Sequence, residues 1–162
     1  MKINTIPTFV FMAILSIVWT SCAKSDAYQK QVAITDGNWQ SNNKPEFEIE
    51  ITDTTSVYDL FLLLRHDDAY PYSNMWVRIN IQQPGDSVYL VGERLEVTMA
   101  DPEGKWLGRN FGDLWEQKAI LSNDKYPIFT KPGTYKLKLE HLMRANPLEN
   151  VLNVGINVQK RK

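Results

Sequence analysis

The sequence predicts an all-β domain, an antiparallel β-sandwich resembling a jelly roll, with about eight strands and little helix. Three observations lead there. Apolar residues recur with a period of two, Gly, Pro, Asp and Asn punctuate the chain between those stretches, and helical periodicity is nearly absent.

Taken in chain order, the first strand has Phe47, Ile49 and Ile51 alternating with Glu46, Glu48 and Glu50, which predicts a half-buried strand with an acidic outer face. Residues 57–65 (VYDLFLLLR) form a continuous apolar run, suited to a sheet enclosed between layers. Met75, Val77, Ile79 and Ile81 share one face, with Trp76, Arg78, Asn80 and Gln82 opposite. Pro84-Gly85-Asp86 reads as a turn, and residues 88–91 as the strand the chain returns into. Leu95, Val97 and Met99 alternate with Glu96, Thr98 and Ala100, and residues 114–121 give a further strand. After the turn Lys131-Pro132-Gly133, Tyr135, Leu137 and Leu139 alternate with Lys136, Lys138 and Glu140. Val154, Ile156 and Val158 complete the set, opposite Gly155, Asn157 and Gln159. Only residues 140–145 suggest a short helical turn.

The chain begins differently. Lys2 supplies a positive start, and residues 6–19 are apolar apart from Pro7, Thr8 and Ser16. Fourteen residues span about 21 Å as a helix, short of the roughly 30 Å hydrocarbon core. That length predicts a cleavable export signal rather than a membrane span. Thr20-Ser21-Cys22 follows, with small residues before a cysteine as in a lipobox, though Trp19 stands where an aliphatic residue is usual. Cys22 is the sole cysteine, and its acylation would account for a lone thiol in an oxidising compartment. The expected layout is a signal peptide over residues 1–21, a lipidated tether over 22–31 and a β-sandwich over 32–162. Several acyl chains would hold the protein to the bilayer through Cys22.

Charge and motifs narrow the function. Without Lys2 the chain has 17 basic and 19 acidic residues, a balance that argues against nucleic acid as a partner. His66-Asp67-Asp68 has metal-ligating residue types, but three consecutive side chains rarely converge, so a polar loop is expected and no metal. No nucleophile elbow, phosphate-cradling loop or zinc-protease motif is present, so neither catalytic residues nor a cofactor is expected. The aromatic residues are more informative. Trp39, Trp76, Trp106 and Trp115 lie beyond Cys22, where tryptophan can fill a core, anchor a protein interface or stack on sugars. Gly104, Gly108 and Gly112 recur among Trp106, Phe111 and Trp115, predicting a tight, shaped loop or a plug closing one end of the sandwich. Tyr70, Tyr72, Trp76, Trp106, Arg109 and Trp115 are the candidate partner-docking residues.

Three segments carry a resemblance: residues 58–76 (YDLFLLLRHDDAYPYSNMW), 100–118 (ADPEGKWLGRNFGDLWEQK) and 133–144 (GTYKLKLEHLMR). In this order, after a signal ending at Cys22, they resemble the GldH gliding-motility lipoproteins of Bacteroidetes. The likeness runs from about residue 28 to 158. It implies a lipoprotein associated with the outer membrane, with gliding-motility and type IX secretion proteins as partners and no catalytic residues. Ala23-Lys24-Ser25-Asp26 has a single acid, a poor match to the acidic run of surface-exported Bacteroidetes lipoproteins, which implies the periplasmic face. A surface-tethered carbohydrate-binding module is the alternative expectation.

Overall fold

The computed structural model describes residues 27–122 and 128–161. The expected export segment and Cys22 lie outside the described residues. Nine strands occur among the latter: β1 Ala27–Ala33, β2 Glu46–Ile51, β3 Tyr58–Asp67, β4 Asn74–Gln82, β5 Arg94–Thr98, β6 Arg109–Asn110, β7 Leu114–Ile120, β8 Gly133–His141 and β9 Val151–Lys160. They form two antiparallel sheets, ordered β1-β9-β3-β7-β6 and β2-β8-β4-β5. This is the expected sandwich.

Alternation decides which face of each strand is buried. In β2 Phe47, Ile49 and Ile51 turn inward while the three glutamates face water. Leu60, Leu62 and Leu64 of β3 meet Met75, Val77, Tyr135, Leu137, Leu139, Val154, Ile156 and Val158 in one core between the sheets. Across the outer face of the four-stranded sheet, glutamates of β2 stand opposite lysines of β8. Glu48 pairs with Lys136 at 3.2 Å and Glu46 with Lys138 at 3.3 Å.

The apolar run in β3 is not enclosed between two layers. Phe61 and Leu63 point away from the core, where the Lys118 ammonium lies 4.1 Å from the centre of the Phe61 ring. Leu63 is nevertheless only 3% exposed. Its cross-strand neighbours are Gly155 and Lys118, and the Gln31 side chain lies over Gly155. The aliphatic stems of long polar residues can therefore cover this face in place of a second apolar layer.

Other local expectations are corrected. β1 occupies part of the expected tether, pairing along its whole length with β9. Its burial is slight because it is an edge strand, so alternation is weak. Tyr28, Lys30 and Val32 occupy its core-facing row opposite Val158, Ile156 and Val154, yet Lys30 is exposed. Residues 88–91 do not form a separate strand. Leu90 alone pairs, with Ile81, through two hydrogen bonds of 2.9 and 3.0 Å. From Ile81 to Arg78 there are three steps, against four from Leu90 to Arg94, so an extra residue bulges from one interrupted edge. The helical turn expected at residues 140–145 is the end of β8 followed by bends.

The basal end of the sandwich holds the start of β1, β3 and β8 and the ends of β2, β4, β7 and β9. The apical end holds the opposite termini and the glycine-containing loop.

Candidate functional site

All six docking candidates lie at or toward the apical end, but they divide into three groups. Tyr70 and Trp106 pack inward. The His66 ring centre is 4.7 Å from that of Trp106 and 5.3 Å from that of Tyr70, and Tyr70 is only 3% exposed. The Tyr70 hydroxyl donates to the Asn74 carbonyl at 3.0 Å, and burial pushes its pKa well above the usual range. These rings close the end of the sandwich.

Trp39 closes it from the neighbouring side. It is fully buried, its indole N–H donates to the Asn43 carbonyl at 2.8 Å, and its ring centre lies 5.0 Å from that of His141. Its backbone exchanges two 2.9 Å hydrogen bonds with Leu148.

The second group is Trp115 with Arg109, on β7 and β6. Trp115 donates through Nε1 to Asp68 at 2.6 Å, and the Arg109 guanidinium lies 4.7 Å from the centre of the Phe111 ring. Gly104, Gly108 and Gly112 all have positive φ, 83°, 96° and 79°, and so make the tight loop expected of them. His66 and Asp67 end strand β3 with His66 fully buried, instead of forming the expected polar loop; Asp67 accepts from the Ala69 N–H and Asp68 from Trp115.

The third group is outward-facing. Tyr72 and Trp76 line a groove of about 300 Å³ with Arg94, Leu142, Met143, Arg144 and Ala145. The Arg94 guanidinium sits 4.0 Å from the Trp76 ring centre. The Trp76 N–H donates to the Met143 sulfur at 3.2 Å, and its carbonyl accepts from the Leu142 N–H at 2.7 Å, fixing the groove floor. Farther along the same sheet face, Glu140 gathers Lys44, Arg78 and Asn80. Burial alone would raise its pKa, but these partners outweigh it and hold the carboxyl below its ordinary value. Two cations, a thioether and two aromatic rings suit an interface. Sequence reasoning found Trp76 through alternation but missed Arg94 and Met143, whose proximity depends on cross-strand register and on the turn after β8.

The two buried histidines have a consequence for stability. His66 Nδ1 lies 2.8 Å from the Asp67 carbonyl, which can only accept, so that nitrogen carries the proton and Nε2 is bare. Burial lowers the pKa of His66 and of His141. Their folded values lie below the unfolded one, about 6.5, so the unfolded chain binds more protons and acid favours unfolding. The melting midpoint should hold above about pH 6.5 and fall below it as the solution approaches the depressed folded values. His66→Gln should remove part of that slope. A midpoint unchanged down to about pH 5 would show that folding does not keep these rings neutral.

The family described as GldH lipoprotein matches residues 26–158. A protein named gliding motility lipoprotein GldH homolog, from Christiangramia forsetii, is 33% identical over 159 residues, covering 93% of this chain and 94% of the relative. The gliding motility lipoprotein GldH of Flavobacterium johnsoniae is 25% identical over 158 residues, with the same two coverages of 93% and 94%. Among solved structures, a carbohydrate-binding module specific for non-crystalline cellulose overlays with a TM-score of 0.47 at 10% identity, over 84% of this chain and 74% of that one. A family match spanning both sheets, with a relative at one-third identity over nearly all of each chain, places this protein in the GldH lipoprotein family.

Proposed function

We propose that the protein is a non-enzymatic scaffold of the gliding-motility and type IX secretion machinery, anchored by acylated Cys22 in the outer membrane and facing the periplasm. Family membership supports a membrane-anchored lipoprotein of the cell envelope. The observation that carries the scaffold reading is the groove of Tyr72, Trp76, Arg94 and Met143, which lies toward the end opposite the start of β1. A partner can reach it while the other end remains near the anchor. Arg94 and Arg144 favour a partner bearing carboxylates, which arginine can hold bidentately, alongside apolar side chains that pack on Trp76 and Met143.

Crosslinking in living cells, followed by purification through a C-terminal tag, tests this. Motility or type IX secretion proteins should be recovered from the native chain and lost with Cys22→Ala. Trp76→Ala with Arg94→Ala should lower their yield at least tenfold while leaving the melting midpoint within a few degrees of native. Undiminished recovery from a folded double variant would remove the groove from the proposal. Recovery of only glycan-uptake proteins would overturn the scaffold reading in favour of carbohydrate binding.

A further inference from the structure

We propose that the basal end of the sandwich rests on the lipid bilayer through an aliphatic rim, so that the domain stands end-on with its apical groove held away from the membrane. The proposal rests on acylation of Cys22, the only cysteine available to a lipoprotein of this sequence.

Chain length sets the first constraint. Ala27, where β1 begins, is five residues after Cys22. At no more than about 3.6 Å per residue, that connection spans at most about 18 Å. Strands β3 and β9, of ten residues each, measure about 33 Å from basal to apical end. The connection is therefore shorter than the domain, and the end where β1 starts is the end kept at the bilayer.

The surface at that end has matching chemistry. Leu90 and Val91 are 56% and 75% exposed, and they line a basal cleft of about 340 Å³ together with Leu60, Ile81, Leu121 and Ile128. Val57, Val88 and Ile120, also at this end, are 48%, 69% and 57% exposed. These residues lie beside the interrupted edge strand and the termini of β3 and β7, and among the described residues no strand covers them. An aliphatic rim facing water calls for an occupant, and a short lipid tether supplies one by proximity. The charges at the same end are mixed. Asp53 pairs with Lys160 and Asp59 with Arg161, and Glu93 borders the cleft itself, so the charges named here are of both signs and the contact should depend little on anionic lipid.

The geometry also explains how the anchor and groove can act together. With the basal rim on the bilayer, the apical end stands about 30 Å above it, within reach of a periplasmic partner and clear of the lipid headgroups.

Fluorescence of the full acylated chain in phosphatidylcholine vesicles tests the orientation. Acylation consumes Cys22, so Val91→Cys introduces a single thiol for an environment-sensitive dye. Leu107→Cys does the same at the apical end, and Val88→Cys gives a second exposed basal position. Spin-labelled lipid should quench the basal dyes at least twofold more than the apical dye, with basal emission shifted to shorter wavelength, in zwitterionic and anionic vesicles alike. Equal quenching at all three positions, with the protein floating with the vesicles, would overturn the end-on proposal while leaving the anchor intact. Failure of the native chain to float with vesicles would overturn the acyl anchor, and this proposal with it.

Discussion

Replacing Trp39 by alanine is expected to destabilise the domain by about 3–5 kcal/mol, the range seen when a fully buried aromatic side chain is truncated. The side chain has no exposed surface, and its surroundings leave little room for collapse. Leu148 is fixed to the Trp39 backbone by paired hydrogen bonds, and His141 is held at the end of β8. Truncation also leaves the Asn43 carbonyl without its indole donor. Domains of this size typically have about 5–15 kcal/mol in total, so the loss would take a large share of it. Urea titration should show a lower midpoint with little change in slope. Trp39→Phe should lose distinctly less. A loss below about 1 kcal/mol for Trp39→Ala would mean that the apical end is not closed as described.

Gly155→Val should separate β1 from the rest of its sheet. A Cβ at this position would collide with the Lys30 carbonyl oxygen and lie 2.7 Å from both Cα and Cγ of Gln31. Most of these obstacles are backbone, so a rotamer change cannot relieve them. Overpacking of this kind costs about 1–3 kcal/mol, and obstruction by backbone places the expected loss at the top of that range or above. The effect should be local at first. Hydrogen exchange should accelerate across Ala27–Ala33, whose core contacts are the partly buried Tyr28 and Val32, while β3 and β8 remain protected. Release of seven residues would add up to about 25 Å to the anchor connection. Unchanged exchange in β1 would show that Gly155 is not the point where the two strands meet closely.

The paired strands were legible wherever one face was buried and the other wet, as in β2, β4 and β8. Legibility failed where that asymmetry disappears. β1 reads as polar linker because an edge strand whose only partly buried apolar residues are Tyr28 and Val32 needs little apolar sequence. β6 has two exposed residues and no pattern to detect. Residues 88–91 carry the apolar character of a strand, but bulging leaves Val88 and Val91 in water. Trp76 was identifiable as outward-facing from its period. Tyr70 and Trp106 could not be told from exposed aromatics, because loop residues have no period from which burial can be read. Bringing Arg94 over Trp76 depends on the pairing of β4 with β5, which is long-range information.

Anchoring confines copies of a protein to a plane, where strand edges meet far more often than they do in solution. Among the described residues β1 is one edge of the five-stranded sheet, and its row opposite Val158, Ile156 and Val154 contains Lys30. A second molecule extending the sheet from this edge would trap that ammonium beneath its own backbone, beside aliphatic side chains, at a desolvation cost of several kcal/mol. One lysine at an inward register position thus opposes edge-to-edge aggregation among crowded neighbours, and Lys30→Val would be the change that invites it.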